Sequence, residues 1–201
     1  MHSKLKEKIF VIILILFSLV INQYYGNRGV FPPDSFFHFE TGFRILLNEH
    51  PFKNYWAVSG PFVDYLQALF FYFFGVNWQI YVLHASVMNA IITVITFAVL
   101  RNFNLNLLYS FIYALLFSVL AYPSSGTPFV DHHSAFFSLI GIYLLILGIK
   151  KENTYYWILL PIAFIFSFLC KQVPSAYIIL STILILIFYL IIKKKYIWFF
   201  Y

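Results

Sequence analysis

An all-α, polytopic membrane protein is the fold class this sequence predicts, and three observations predict it. Of 201 residues, only 10% are charged and 62% are hydrophobic, whereas a soluble domain carries roughly 25% charged residues. Mean hydropathy is +0.85. The apolar residues gather into several runs that approach the ~20 needed for a helix to cross a bilayer. Open strands cannot cross lipid, because their edge amides stay unpaired.

The first run, IFVIILILFSLVI, follows KLKEK. A signal peptide would end in a small-residue cleavage site, but NQYYGNRG follows instead, so the run is read as a retained span from Ile9 to Tyr24. Later spans are read at Trp78 to Leu100, Leu107 to Tyr122, His133 to Ile149, Tyr155 to Cys170 and Pro174 to Ile192. Pro161 is expected to kink its helix. The hard case is FVDYLQALFFYFFG, Phe62 to Gly75, which holds Asp64. A stretch of ~10–14 apolar residues suits an interfacial or re-entrant helix better than a crossing.

Basic residues decide the point, because they concentrate on the cytoplasmic side. With Phe62 to Gly75 lying flat there are about six transmembrane helices, and residues 25–77 form a long first outer loop with interfacial helices. The N-terminus is then cytoplasmic. Lys4, Lys6, Lys8, Arg101, Lys150, Lys151 and Lys193 to Lys195 fall inside, which is 9 of 13 basic residues. If the short piece crossed, that bias would vanish. The flat topology also sends Asp34, Glu40, Glu49, Asp64 and Asp131 outside, five of the seven acidic residues. Polar groups therefore converge on one membrane face, and ionisable groups near membrane depth are costly and usually functional.

Three outer segments can carry chemistry. In PPDSFFHFETGFR, Asp34 is either an N-cap, which stabilises a helix by ~1 kcal/mol, or a general base with His38 one turn along the same face. Glu40 and Arg44 have the i,i+4 spacing of an ordinary ion pair. In FVDHHSAFF, Asp131, His132 and His133 offer oxygen and imidazole donors to a divalent cation or a phosphate. They also suit a polar helix start. Adjacent helical histidines point about 100° apart, so Asp131 and His132 are the better metal candidates. In FLCKQVP, Lys171 and Gln172 lie in a short outer turn, where Lys171 either snorkels or meets a lipid phosphate. His84 and Asn89, inside a span, read as interhelical hydrogen-bond partners. The lone Cys170 excludes an intrachain disulfide. P-loop, G-x-G-x-x-G, G-x-S-x-G and H-E-x-x-H motifs are absent, and nothing here points to nucleic acid.

The order of these features resembles the GT-C superfamily of integral-membrane glycosyltransferases, the group of protein O-mannosyltransferases and aminoarabinose transferases. A first span leads to a long outer loop, which opens with an acid-headed helix, PDSFFHFETGFRILL. A Pro-led aromatic helix follows, GPFVDYLQALFFYFFGVN. Then come an aspartate before a later span, VDHH, and a lysine-bearing outer turn, CKQVP. The resemblance implies transfer of a sugar from a polyprenyl-phosphate donor to an acceptor on the extracytoplasmic face of a bacterial inner or plasma membrane. Asp34 would be the base and Lys171 the donor-phosphate ligand. His38, Glu40, Asp131, His132, His133 and Gln172 would bind substrate in the same basin. The chain departs from the family in having Ser35 after the first acid and Ser59-Gly60 before Pro61. Residues 1–201 are read as a single transmembrane domain, the N-terminal part of a longer member or a module that works with a partner membrane subunit.

Two other readings stand beside this one. One is a non-catalytic membrane subunit that binds a lipid-linked sugar for a partner enzyme. The other is a transporter, which needs polar residues near the midplanes of several spans; most spans here are apolar throughout.

Overall fold

The computed structural model describes residues 2–29, 34–57, 59–122 and 126–192, with the side chains of residues 2–3 and 34–35 outside that description. Among the described residues the chain is all helix. The elements are α1 (His2–Gly26), α2 (Asp34–Leu46), α3 (Phe62–Phe74), α4 (Trp78–Asn102), α5 (Leu107–Ala121), α6 (Val130–Lys151), α7 (Thr154–Cys170) and α8 (Gln172–Ile192). Extended pairing is limited to an isolated bridge between Pro51 and Tyr55.

Four helices are long and apolar enough to cross a membrane by length and composition: Lys4–Gly26 of α1, then α4, α6 and α8. The apolar helices α5 and α7 are shorter, at 15 and 17 residues. α7 continues through Pro161. Asparagines start three of the helices. Asn77, Asn106 and Asn153 accept from the backbone N–H groups of Ile80, Leu108 and Tyr155 at 3.0, 2.8 and 2.9 Å, which satisfies donors that a helix N-terminus leaves unpaired.

The bundle has two polar ends. At one, Arg101 Nε donates to Glu7 Oε1 at 3.3 Å and Lys150 Nζ donates to the Asn102 carbonyl at 2.7 Å. At the other, Asn22 Nδ2 donates to Ser86 Oγ at 3.0 Å and to the Gly126 carbonyl at 3.2 Å, while Trp78 Nε1 reaches the Gly26 carbonyl at 3.1 Å. Here two glycines let backbones touch: a Cβ on Gly126 (φ +67°) would stand 2.4 Å from Gly26 Cα.

Apolar cores fill the space between the ends. Leu14, Phe97 and Ala114 join α1, α4 and α5. Ala85, Met88, Ile92 and Phe136 join α4 to α6, with Tyr122 beneath the end of α5. The short α3 packs against α2, α4 and α7. It is docked by Gly60, whose N–H donates to the Cys170 carbonyl at 3.1 Å and whose missing Cβ would lie 1.8 Å from the Leu169 carbonyl oxygen. No side chain larger than hydrogen fits there, so the loop into α3 sits directly on the end of α7, beside Lys171.

Several helices run beyond the spans read from sequence, and α6 begins at Val130, so that Asp131, His132 and His133 occupy its first turn, the polar helix start that the sequence also offered. A carboxylate at that position is stabilised by the positive end of the helix dipole.

Candidate active site

α3 carries few polar residues, and one of them meets two from α2. His38 Nδ1 lies 2.6 Å from Asp64 Oδ1, with the side chains only 3% and 1% exposed. Thr41, three residues beyond His38 on the same helix face, donates its hydroxyl to the same carboxylate oxygen at 2.6 Å. With Asp64 ionised its oxygens only accept hydrogen bonds, so Nδ1 of His38 carries hydrogen, and in the neutral ring Nε2 is then the acceptor. The sequence explains the burial. α3 is an apolar helix with Asp64 and Gln67 one turn apart on its buried face. A buried carboxylate is costly unless a partner and hydrogen bonds compensate it, and α2 supplies both. Nearby, burial raises the Tyr55 hydroxyl above its ordinary value, and the charge of Asp64 adds to the effect.

A second pair closes the site from the other side. Lys171, in the turn between α7 and α8, donates Nζ to Asp131 Oδ1 of α6 at 2.6 Å, with the side chains 37% and 42% exposed. Between the two pairs lies a cavity of about 210 Å³, lined by Phe37, His38, Ser59, Phe129, Val130, Asp131 and Lys171. It is smaller than the ~300–1,000 Å³ of drug-sized ligand sites, a size for one compact polar group. Val130 of its lining packs with the buried Val63 and Cys170.

Behind the cavity runs a buried hydrogen-bonded chain. Gln67 presents its amide oxygen to His84 Nδ1 at 2.8 Å. His84 Nε2 meets His133 Nε2 at 3.0 Å, so that one ring donates to the other. His133 Nδ1 lies 3.0 Å from both the Tyr122 hydroxyl and the Phe129 carbonyl, and the Tyr122 hydroxyl accepts the Phe129 N–H at 2.9 Å. Further along, Ser134, Ser138, Ser167 and Ser175 interlock α6, α7 and α8 through hydroxyl contacts of 2.7–2.8 Å.

The candidates from sequence thus separate. His38, Asp131 and Lys171 share one cavity. His133 faces inward to His84 and Tyr122. His132 is half-buried and stacked on the Tyr122 ring at 4.9 Å. The two histidines diverge as neighbouring helical positions must, and among the described residues no three His, Cys, Asp or Glu side chains gather as a metal centre would require. Glu40 is 63% exposed and pairs with Arg44 at 2.7 Å, the ordinary i,i+4 contact. Gln172 opens α8, half-buried. The side chain of Asp34 lies outside the described residues; its backbone position, the first of α2, puts it one turn before His38.

His84 and Asn89 do join helices, Asn89 by donating to the Ser118 carbonyl at 2.9 Å. Sequence reasoning missed Asp64, Thr41, Gln67, Ser59 and Tyr122 as parts of the site. For Asp64 and Gln67 a signal existed, since two strongly polar side chains three apart in an apolar helix need a buried partner.

Comparison with known proteins gives one result. Residues 50–201 match the family described as dolichyl-phosphate-mannose-protein mannosyltransferase. The matched stretch contains α3 to α8, and so Asp64, Asp131 and Lys171, and begins after α2. No curated protein and no solved structure matches the chain.

Proposed function

The chain belongs to the dolichyl-phosphate-mannose-protein mannosyltransferase family, membrane glycosyltransferases of the GT-C type that use polyprenyl-phosphate sugar donors, and from that premise we propose how its cavity works. The sugar phosphate of the donor enters from the membrane beside Lys171. The ammonium exchanges part of its contact with Asp131 for the phosphate, and stabilises the charge that develops there as the bond between the anomeric carbon and the phosphate oxygen breaks. Asp34 takes the proton of the acceptor hydroxyl while that oxygen attacks the opposite face of the anomeric carbon, so the configuration inverts. The isoprenoid tail lies in the apolar groove between α7 and α8, a cleft of about 420 Å³ whose wall includes Phe164, Phe168, Leu169 and Ile183. Leu169, on the wall of that groove, lies two residues before Lys171 in the chain. On this reading the cavity opens on the extracytoplasmic side, the side opposite the lysine-rich ends.

The observation that carries the reading is the position of Lys171. It is the cation of a cavity that also holds an imidazole and a carboxylate. The test uses the purified chain in vesicles with dolichyl-phosphate mannose labelled in the sugar, following loss of label from the lipid fraction. Asp34→Asn is expected to lower that rate by about 100-fold or more while the protein still folds. A rate equal to the parent's removes Asp34 as the base.

A further inference from the structure

His38 and Asp64 form a unit that the transfer reaction described above leaves without a task. The unit is built as a proton acceptor. Asp64 is buried and fixes Nδ1 of the imidazole at 2.6 Å. Thr41 holds the same carboxylate oxygen at 2.6 Å, so the carboxylate cannot rotate away without losing two hydrogen bonds. The ring lines the polar cavity, and its other nitrogen makes no hydrogen bond among the described residues. A neutral histidine whose Nδ1–H is bound to a carboxylate presents a basic Nε2, and the carboxylate stabilises the imidazolium that forms on protonation. Position 34 lies four residues before His38 in α2, the spacing that places two residues on one helix face.

We propose that His38 is the proton relay of this site, receiving at Nε2 the proton that Asp34 takes from the acceptor hydroxyl, with Asp64 as the positioning residue that fixes the tautomer. The proposal rests on the assignment of Asp34 as base. The step balances. The acceptor O–H bond breaks as its oxygen bonds to the anomeric carbon, and the leaving electron pair goes to the polyprenyl phosphate. The proton moves from the Asp34 carboxyl to His38 Nε2, which restores the Asp34 carboxylate for the next turnover. The imidazolium keeps its Nδ1–H on Asp64 and returns the transferred proton to water in the cavity. The other charged and titratable groups around it among the described residues are Asp131 and Lys171 across the cavity, the His84–His133 pair behind it, and the Tyr55 and Tyr81 hydroxyls near Asp64.

Two measurements on the full chain in lipid nanodiscs test this. The first is the ¹⁵N spectrum of histidine-labelled protein, with His38 assigned by loss of its signals in His38→Asn. The expected result is a bare Nε2 and a protonated Nδ1, with that preference lost in Asp64→Asn. A protonated Nε2 in the neutral parent would overturn the proposal, because a nitrogen that already carries hydrogen cannot take the proton. The second is mannose transfer from dolichyl-phosphate mannose. His38→Gly is expected to lower turnover by about 100-fold, with KM changed less than about twofold, and free imidazole is expected to restore part of the rate. Unchanged turnover, or a loss that imidazole does not touch, overturns the relay. A parent protein that transfers nothing from this donor counts against the assigned reaction, while the tautomer measurement still decides whether His38 is poised to accept a proton.

Discussion

Two side-chain pairs face one another across the same cavity, each 2.6 Å long, and they differ in burial. His38 and Asp64 are sealed at 3% and 1% exposure, while Lys171 and Asp131 are open at 37% and 42%. Equal distance does not make them equal in role. A buried pair has already lost its hydration, and breaking it leaves an uncompensated charge in a low-dielectric interior. An open pair gains little from its contact, because water screens it. The sealed pair is therefore suited to fixing an orientation, and the open pair to exchanging one partner for a ligand. The cavity has a rigid wall on α2 and α3 and an adaptable one where α6 meets the α7–α8 turn.

The largest expected effect breaks the sealed pair. His38→Ala leaves the Asp64 carboxylate buried without its partner and should destabilise the protein by about 3–5 kcal/mol, measured by reversible unfolding in mixed micelles. Replacing both members, His38→Phe with Asp64→Leu, should recover much of that stability while leaving transfer absent. Equal damage in the single and double variants would show that the pair's charge is not the cause.

The open pair should respond in opposite directions at its two ends. Lys171→Ala is expected to weaken donor binding on the order of tenfold, the value of a hydrogen bond to a charged group, with stability unchanged. Equal donor affinity would mean that the lysine only reaches for water. The wall can be displaced without touching charge. Gly60→Ala forces a methyl group onto the Leu169 carbonyl oxygen, which should cost about 1–3 kcal/mol of stability and lower donor affinity by moving the turn that carries Lys171. Asp131→Asn removes the competitor of the phosphate and should tighten donor binding by roughly two- to fivefold, the worth of an exposed pair.

The smallest effect is expected at Glu40. Glu40→Gln loosens only an exposed contact with Arg44 and should change stability by less than about 0.5 kcal/mol, with transfer unaffected. A large loss of transfer there would return Glu40 to the substrate site.

Much of the architecture was legible in the chain. The positions of the apolar runs followed from composition alone, because a membrane helix must satisfy its own backbone hydrogen bonds and cover itself with apolar side chains, whatever its neighbours are. For the polar triplet Asp131-His132-His133 the sequence left a ligand site and a polar helix start side by side, and the structure places it in the first turn of α6. The pairing of Lys171 with Asp131 followed only in outline: both were assigned to one face of the membrane, but contact between residues 40 apart depends on how α6 and α7 pack.

The amino-acid order by itself determined that this is a helical membrane protein with its scarce acids gathered near one end, since those properties are local and each residue contributes independently. Which acid meets which base was decided only by the tertiary structure. Asp64 looked like an oddity in an apolar helix until α2 brought His38 and Thr41 onto it, and His84 found His133 across 49 positions of sequence. Side-chain partnership is a property of two surfaces in register, and that register is set by close-packed contacts such as Gly60 on Leu169, which no single segment encodes.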